Sequence, residues 1–303
     1  MLTIDPTQIP TKDLHQYMLG AVAPRPIAFA STISPEGVPN LAPYSFFNAF
    51  SSNPPILIFS SNRRVANNTT KDTLRNVEET REVVINVVSH SIVRQMALCS
   101  IEYDATVNEF EKAGLTPLAS ELVRPFRVAE SPVQMECIVE QILPLGDRGG
   151  AGNLIICRIV RLHIDERVLT DAGRIDPHKI DLVGRMGRFY YARASGAAVL
   201  EVVQPVAEIG VGFDALPRSL RLSTVLTGND LARIAALPAL PDAESIAADP
   251  RISNALAAGA AKEELHALAK EALQAGDIEL GAKLALAGEI VQDWTGLDWT
   301  GLP

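Results

Sequence analysis

Two stretches of this chain carry residue types that could do chemistry together. The first runs from Pro24 to Asn48 and reads PRPIAFASTISPEGVPNLAPYSFFN, a strand, a turn, and a polar-aromatic crest at Ser45, Phe46, Phe47 and Asn48. The second lies between Ser60-Ser61-Asn62-Arg63-Arg64, which closes an apolar run, and Thr69-Thr70-Lys71-Asp72-Thr73, which reads as the opening of a helix. A helix N-terminus offers unpaired N–H groups and the positive end of the peptide dipole, both of which favour an anion. Lys71, Arg63 and the hydroxyls of Ser61 and Thr73 would add charge-assisted hydrogen bonds to a phosphate. The same residues also suit an ordinary capped helix and a solvated loop.

The crest has two readings as well. Phe46 and Phe47 are consecutive, so on a strand they point to opposite faces, one into the core and one toward a flat ring or a subunit interface. Backbone N–H groups near Ser45–Asn48 could hold the carbonyl edge of a pyrimidine-like ring, and Ser45 and Asn48 equally suit turn chemistry. A flat ring beside a phosphate points to a nucleotide cofactor, with flavin mononucleotide (FMN) the best fit. No other constellation competes. The histidines, His15, His90, His163, His178 and His266, form no metal-ligand spacing with one another or with a cysteine. No Gly-x-Ser-x-Gly elbow is present, so the chemistry falls to a cofactor that the protein positions.

Composition narrows the classes. In 303 residues, 47% hydrophobic and 21% charged, the profile is that of a globular chain with a sizeable core. A formal charge of −9 argues against a broad electrostatic grip on nucleic acid or on an anionic membrane. Cys99, Cys137 and Cys157 are odd in number and widely spaced, which predicts neither a disulfide framework nor a zinc site and favours a reducing compartment. The apolar runs are shorter than the roughly 20 residues of a membrane helix. The start, MLTIDPTQIPTKD, lacks a signal-peptide pattern, so the expected location is the cytoplasm.

The elements that must position these residues are mostly strands. Ile27–Ile33 is a β-rich run ending at the turn signal Ser34-Pro35-Glu36-Gly37, and Val38–Phe46 reads as its returning partner. Pro55–Ser60 and Val83–Val88 read as short buried strands, and Val133–Leu143 and Leu154–Ile164 as a pair. The loop 146–152 between that pair is glycine-rich, but it joins strand to strand, which predicts a long hairpin turn rather than a dinucleotide-binding loop. Thr73–Thr80, Ile92–Leu98 and Val107–Ala113 read as helices. Six strands with few helices predict a closed antiparallel barrel with helical inserts.

Beyond Phe213 the composition changes. Residues 214–303 contain no Phe or Tyr, are rich in alanine, and carry 7 Lys/Arg against 13 Asp/Glu. The predicted division is therefore 1–213 for the ligand-binding domain and 214–303 for an α-helical extension. Ala261–Ala275 and Ile278–Asp293 read as two helices joined at Gly276-Asp277, a single hairpin too small to bury a core alone. The tandem DWTGL-DWTGL of Asp293–Leu302 has no chemistry that its residue types assign.

Taken together, several motifs resemble one family. They are Arg25-Pro26-Ile27 with Ser31-Thr32, Asn40 to Asn48, Pro54-Pro55, Lys71-Asp72-Thr73 with Asn76, Glu109-Phe110, Ala113-Gly114-Leu115-Thr116, and Gly184-Arg185-Met186-Gly187 with Tyr190-Tyr191. Over about residues 10–200 their order and spacing are similar to the flavin reductase-like, FMN-binding split-barrel family, in its flavoredoxin-type branch. The resemblance implies a six-stranded Greek-key split barrel that forms a homodimer, with one FMN per subunit near the interface. It implies that Ser31, Thr32, Ser45, Phe46, Phe47 and Asn48 line the isoalloxazine, and that Ser61, Arg63, Lys71 and Thr73 hold the phosphate. Arg185 and Tyr190 match family positions near the flavin or the partner subunit. The implied activity is hydride transfer from NADH or NADPH to bound flavin, serving a partner monooxygenase or another acceptor. An electron carrier of the flavoredoxin type, docking on a partner electron-transfer protein, is the alternative. One departure stands out: family members often have a small residue and an acid in the sixth strand, where this chain has Cys157-Arg158.

Overall fold

The computed structural model describes residues 1–202 and 208–294 and divides into two units, Met1–Leu200 and Glu201–Pro303.

The first unit opens with helix α1 (Thr11–Ala21), which buries none of its side chains. Strand β1 (Ala28–Ile33) is buried at all six positions, as expected of an apolar run at the centre of a sheet. Its turn is the predicted one: the Gly37 N–H donates to the Ser34 carbonyl at 3.0 Å, with Gly37 at φ +93°, a conformation that favours glycine. β2 (Pro39–Tyr44) returns alongside, with Ala28 opposite Tyr44 and Ile33 opposite Pro39. Then come β3 (Phe47–Ser52), β4 (Pro55–Ser60), α2 (Asp72–Thr80) and β5 (Glu82–Val87). Arg81, at φ 59°, ends α2 in the left-handed region. The short helices α3 (Val93–Leu98) and α4 (Glu109–Ala113) follow, then a two-stranded ribbon of β6 (Pro117–Leu118) and β7 (Arg127–Val128). The long hairpin β8 (Val133–Pro144) and β9 (Asn153–Ile164) precedes a second ribbon, β10 (Val183–Arg185) with β11 (Tyr191–Arg193).

Among the described residues the main sheet has seven strands, in the order β2-β1-β5-β8-β9-β4-β3, not the six expected. Every pairing within it is antiparallel. The extra strand is β3, whose residues the sequence reading places in no strand, while the returning strand read as Val38–Phe46 forms β2 and ends at Tyr44. The chain breaks at Ser45-Phe46, and the strands on either side join opposite edges of the sheet, β2 against β1 and β3 against β4. Two edges joined by a dipeptide require the sheet to roll round until they meet. Phe29, Phe59, Ile85 and Ile155 are wholly buried within this unit. The Cys157-Arg158 departure is absorbed by β9: Cys157 lies in the core, and Arg158 pairs with Glu140 of β8 at 2.5 Å.

The second unit is helical: α5 (Arg218–Arg221), α6 (Gly228–Ala235), α7 (Ala243–Ala247), α8 (Pro250–Ala257), α9 (Lys262–Gln274) and α10 (Ile278–Trp294). The α9–α10 hairpin forms as read, with Gly276 at φ +88° and the Asp277 carboxylate accepting from the Leu280 N–H at 3.0 Å. It is not alone. α5 to α8 supply Leu220, Leu231, Ile234, Ile246 and Ile252 to a core shared with Leu265 and Leu273. These helices span only four to eight residues each, too short for an apolar period to be legible. Beyond Trp294, the tandem DWTGL repeat lies outside the described residues.

Candidate functional site

The first unit carries a cleft of two lobes, about 250 and 490 Å³, which share Tyr44, Ser45, Arg64, Lys71, Glu102 and Arg185 as walls. Its position follows from the sheet closure, because Tyr44 and Ser45 sit where the chain passes from one edge to the other. Asn40, Ala42 and Tyr44 occupy alternate positions of β2 and therefore face the smaller lobe together.

Helix α2 is anchored so that its start faces the cleft. The Asn40 amide donates to the hydroxyls of Thr32 and Thr73, both at 2.9 Å, and the Asn76 amide donates to Thr32 at 3.1 Å. This buried network ties α2 to β1 and β2. At the helix start Lys71 provides no side-chain cap, which leaves the N-terminal peptide dipole facing the cleft. The Lys71 ammonium stands 5.2 Å from the Tyr44 ring centroid, a cation–π contact. Burial, and then the nearby Arg64, push the Lys71 pKa below its usual value, partly offset by Glu102.

Arg64 is held rigidly. Its Nη1 donates to Thr69 Oγ1 at 3.1 Å and to the Thr70 carbonyl at 2.6 Å, while Nε meets Glu102 at 2.8 Å. Arg63 is engaged elsewhere, donating to the Asn68 side chain and carbonyl at 2.7 Å each. The glycine-rich hairpin turn supports this loop. The Gly150 N–H donates to the Arg63 carbonyl at 3.0 Å, and a Cβ on Gly149 would meet the Val65 carbonyl oxygen at 2.9 Å. Arg25 secures the far wall: its guanidinium donates to the carbonyls of Leu19, Val22 and Met186 and to Ser45 Oγ, and lies 5.9 Å from the Phe46 ring. The Arg25 and Arg185 backbones exchange hydrogen bonds at 2.9 and 2.8 Å, bringing Arg185 to the cleft, where it stacks 4.6 Å from the Tyr191 ring. Glu109, buried in the smaller lobe, accepts from the Leu41 N–H at 3.1 Å, and burial pushes its carboxyl pKa up against that hydrogen bond.

Of the residues singled out in the sequence, Ser45, Phe46, Arg63, Lys71, Thr73 and Arg185 line the cleft. Ser31, Thr32 and Ser61 are buried and line neither lobe, and Phe47 packs against the core. Asn48 is exposed on β3, with its side chain accepting from the Ala49 N–H at 2.8 Å, and Tyr190 is exposed while its neighbour Tyr191 lines the smaller lobe. Tyr44, Arg64, Glu102 and Glu109 also line the cleft, and the sequence does not mark them for it. The parity of Asn40, Ala42 and Tyr44 on one strand was a usable signal; the orientations of Arg63 and Arg64 on an irregular loop were not.

The donor set fits a phosphorylated flat ligand. Two cations and an uncapped helix start converge on one part of the cleft, and Tyr44, Phe46 and Tyr191 present ring surface nearby. The hydroxyls of Tyr44 and Ser61 are buried without a hydrogen-bond partner among the described residues, and burial pushes the Tyr44 phenol pKa up.

Residues 19–179, more than half of the chain, match the family of the flavin reductase like domain. The chain belongs to the flavin reductase-like family. A relative from Aquifex aeolicus, described only as an uncharacterized protein, is 38% identical over 189 residues, covering 62% of this chain and 94% of that one. Among solved structures, nitrilotriacetate monooxygenase component B from Bacillus cereus superposes with a TM-score of 0.62 at 33% identity, covering 67% of this chain and 98% of its own. The 2-nitrobenzoate 2-nitroreductase NbaA of Pseudomonas fluorescens follows at 0.58 and 26% identity, covering 67% and 96%. No helix among the described residues is long and apolar enough to cross a membrane.

Proposed function

We propose that this chain is an FMN-dependent oxidoreductase that draws its reducing equivalents from NADH or NADPH. The observation that carries the reading is the convergence of Arg64, Lys71 and the uncapped start of α2 beside the Tyr44–Phe46 wall, a phosphate seat next to a ring seat. Bound there, FMN would supply the redox chemistry, accepting hydride from the nicotinamide and passing electrons on. The protein's part is to bind and orient. Arg64 and Lys71 hold the phosphate, α2 adds its N–H groups, and Ser45 and Phe46 form the wall along the ring. Arg25 keeps that wall in place through Ser45.

The reading extends to a homodimer with FMN near the interface, for which the exposed aromatic side chains Phe50, Phe189 and Tyr190 are suitable contact surface. It extends also to delivery of reduced flavin to a partner monooxygenase, supported by the likeness to a monooxygenase component B from Bacillus cereus. The division of labour between residues 1–213 and 214–303 belongs to the same proposal, with the flavin held by the first. An absorbance spectrum of the purified protein under anaerobic conditions tests the core of it. Flavin bands that bleach within seconds of adding NADH or NADPH are expected. Bands that persist until a reduced ferredoxin-like donor is added would favour the electron carrier, and protein that binds no flavin would refute both.

A further inference from the structure

Glu102 is a carboxylate set against the cations of the cleft. It lies in the irregular segment between α3 and α4, and both lobes include it in their walls. Its Oε1 is 2.8 Å from Arg64 Nε, with the Glu102 side chain 66% exposed and that of Arg64 20%. Arg64 is already fastened through Nη1 to Thr69 and Thr70, so Nε is the edge that Glu102 takes. The other nearby acids are committed elsewhere: Asp72 pairs with Arg75 on α2, and Glu109 accepts from the Leu41 N–H.

We propose that Glu102 competes with the flavin phosphate for Arg64 and thereby sets how readily this cleft exchanges its ligand. The inference rests on the flavin reading above. A phosphate close to two negative charges gains more from Arg64 and Lys71 than one carboxylate does, so the exchange favours the phosphorylated ligand. Glu102 returns to water without a large penalty because it is mostly exposed already. A ligand lacking a dianionic group cannot drive the exchange. Glu102 therefore holds the affinity for the phosphorylated ligand below what the two cations alone would give, leaves a ligand without phosphate unaffected, and so favours exchange of the flavin.

Titration of FMN and of riboflavin into flavin-free protein, followed by quenching of flavin fluorescence, compares the wild type with Glu102→Gln and Glu102→Lys. Glu102→Gln is expected to tighten FMN by about two- to fivefold, the range for a partly exposed ion pair, with riboflavin unchanged. Glu102→Lys should tighten FMN further, and both differences should shrink in high salt. If FMN binds the wild type and Glu102→Gln leaves its affinity unchanged or weaker, the competition is overturned while the flavin reading stands. Equal shifts for FMN and riboflavin overturn it too. If neither flavin binds the wild type, the flavin reading itself is refuted, and the proposal with it.

Discussion

Replacing Lys71 by Met separates the cost of building this site from its use. In the protein alone the Lys71 ammonium is half-buried and faces Arg64, so burial and then like charge depress its pKa. A base whose folded pKa is depressed binds fewer protons in the folded chain than in the unfolded one between that lowered value and 10.5. Stability therefore rises with pH through that window, and the full penalty is present below the lowered folded value. Lys71→Met removes the penalty, at the loss of the cation–π contact with Tyr44, so the melting temperature should hold or rise. Binding should move the other way. A hydrogen bond to a charged group contributes about 1.5–3 kcal/mol, which is roughly ten- to a hundredfold in the FMN dissociation constant. Calorimetric melting and isothermal titration on the same preparations read both quantities, with riboflavin as the ligand that lacks phosphate. A lower melting temperature, or equal losses of FMN and riboflavin affinity, would refute the assignment of Lys71 as a strained cation kept for a phosphate.

Three further outcomes are expected. Gly149→Ala places a methyl 2.9 Å from the Val65 carbonyl and 3.1 Å from that of Arg64, so it should cost about 1–3 kcal/mol in urea unfolding and weaken FMN binding by displacing the arginine loop. Burial pushes the Glu136 carboxyl up, but the N–H groups of Glu121 and Leu122 together with His163 outweigh it and hold the pKa below 4.5. The stabilisation by Glu136 is thus present above 4.5 and lost as pH falls through the lower folded value, so Glu136→Gln should flatten the acid limb of a stability–pH curve. In the second unit, burial lowers the His266 pKa below 6.5, against Glu289 and with Lys262. Thermal melts of that unit should fall as pH drops below 6.5, and His266→Gln should remove the dependence.

Much of the first unit is legible in the sequence because its strands are marked by composition and by turns. Ile27–Ile33 with Gly37, Pro55–Ser60 and the Val133–Ile164 hairpin each carry an unambiguous apolar run or turn glycine. β3 is not legible, because Phe47–Ser52 is exposed beyond its first residue and carries no apolar run, so the change of partner strand at Ser45-Phe46 leaves no mark. The site shows the same division. Lys71 and Thr73 are found because a helix start announces itself, whereas choosing Arg64 over Arg63 depends on which of them Asn68 engages from five residues away. Thr32 reads as a ligand group, and its hydroxyl is also the acceptor for Asn40 and Asn76, a use that only tertiary neighbours disclose. In the second unit, α5 to α8 are invisible for lack of length.

The passage of the chain through Ser45-Phe46 has a kinetic consequence. β3 and β4 form a local hairpin, but it joins the rest of the sheet only when β4 pairs with β9 across about a hundred residues of chain, Leu57 opposite Cys157, and only then are both ends of the dipeptide fixed. Contacts this remote in sequence are the slow ones to form. The ligand wall is therefore among the last parts of the first unit to exist during folding. In a refolding experiment, acquisition of flavin binding would time the closure of the sheet itself, lagging behind the appearance of β-structure by the interval needed to bring its two edges together.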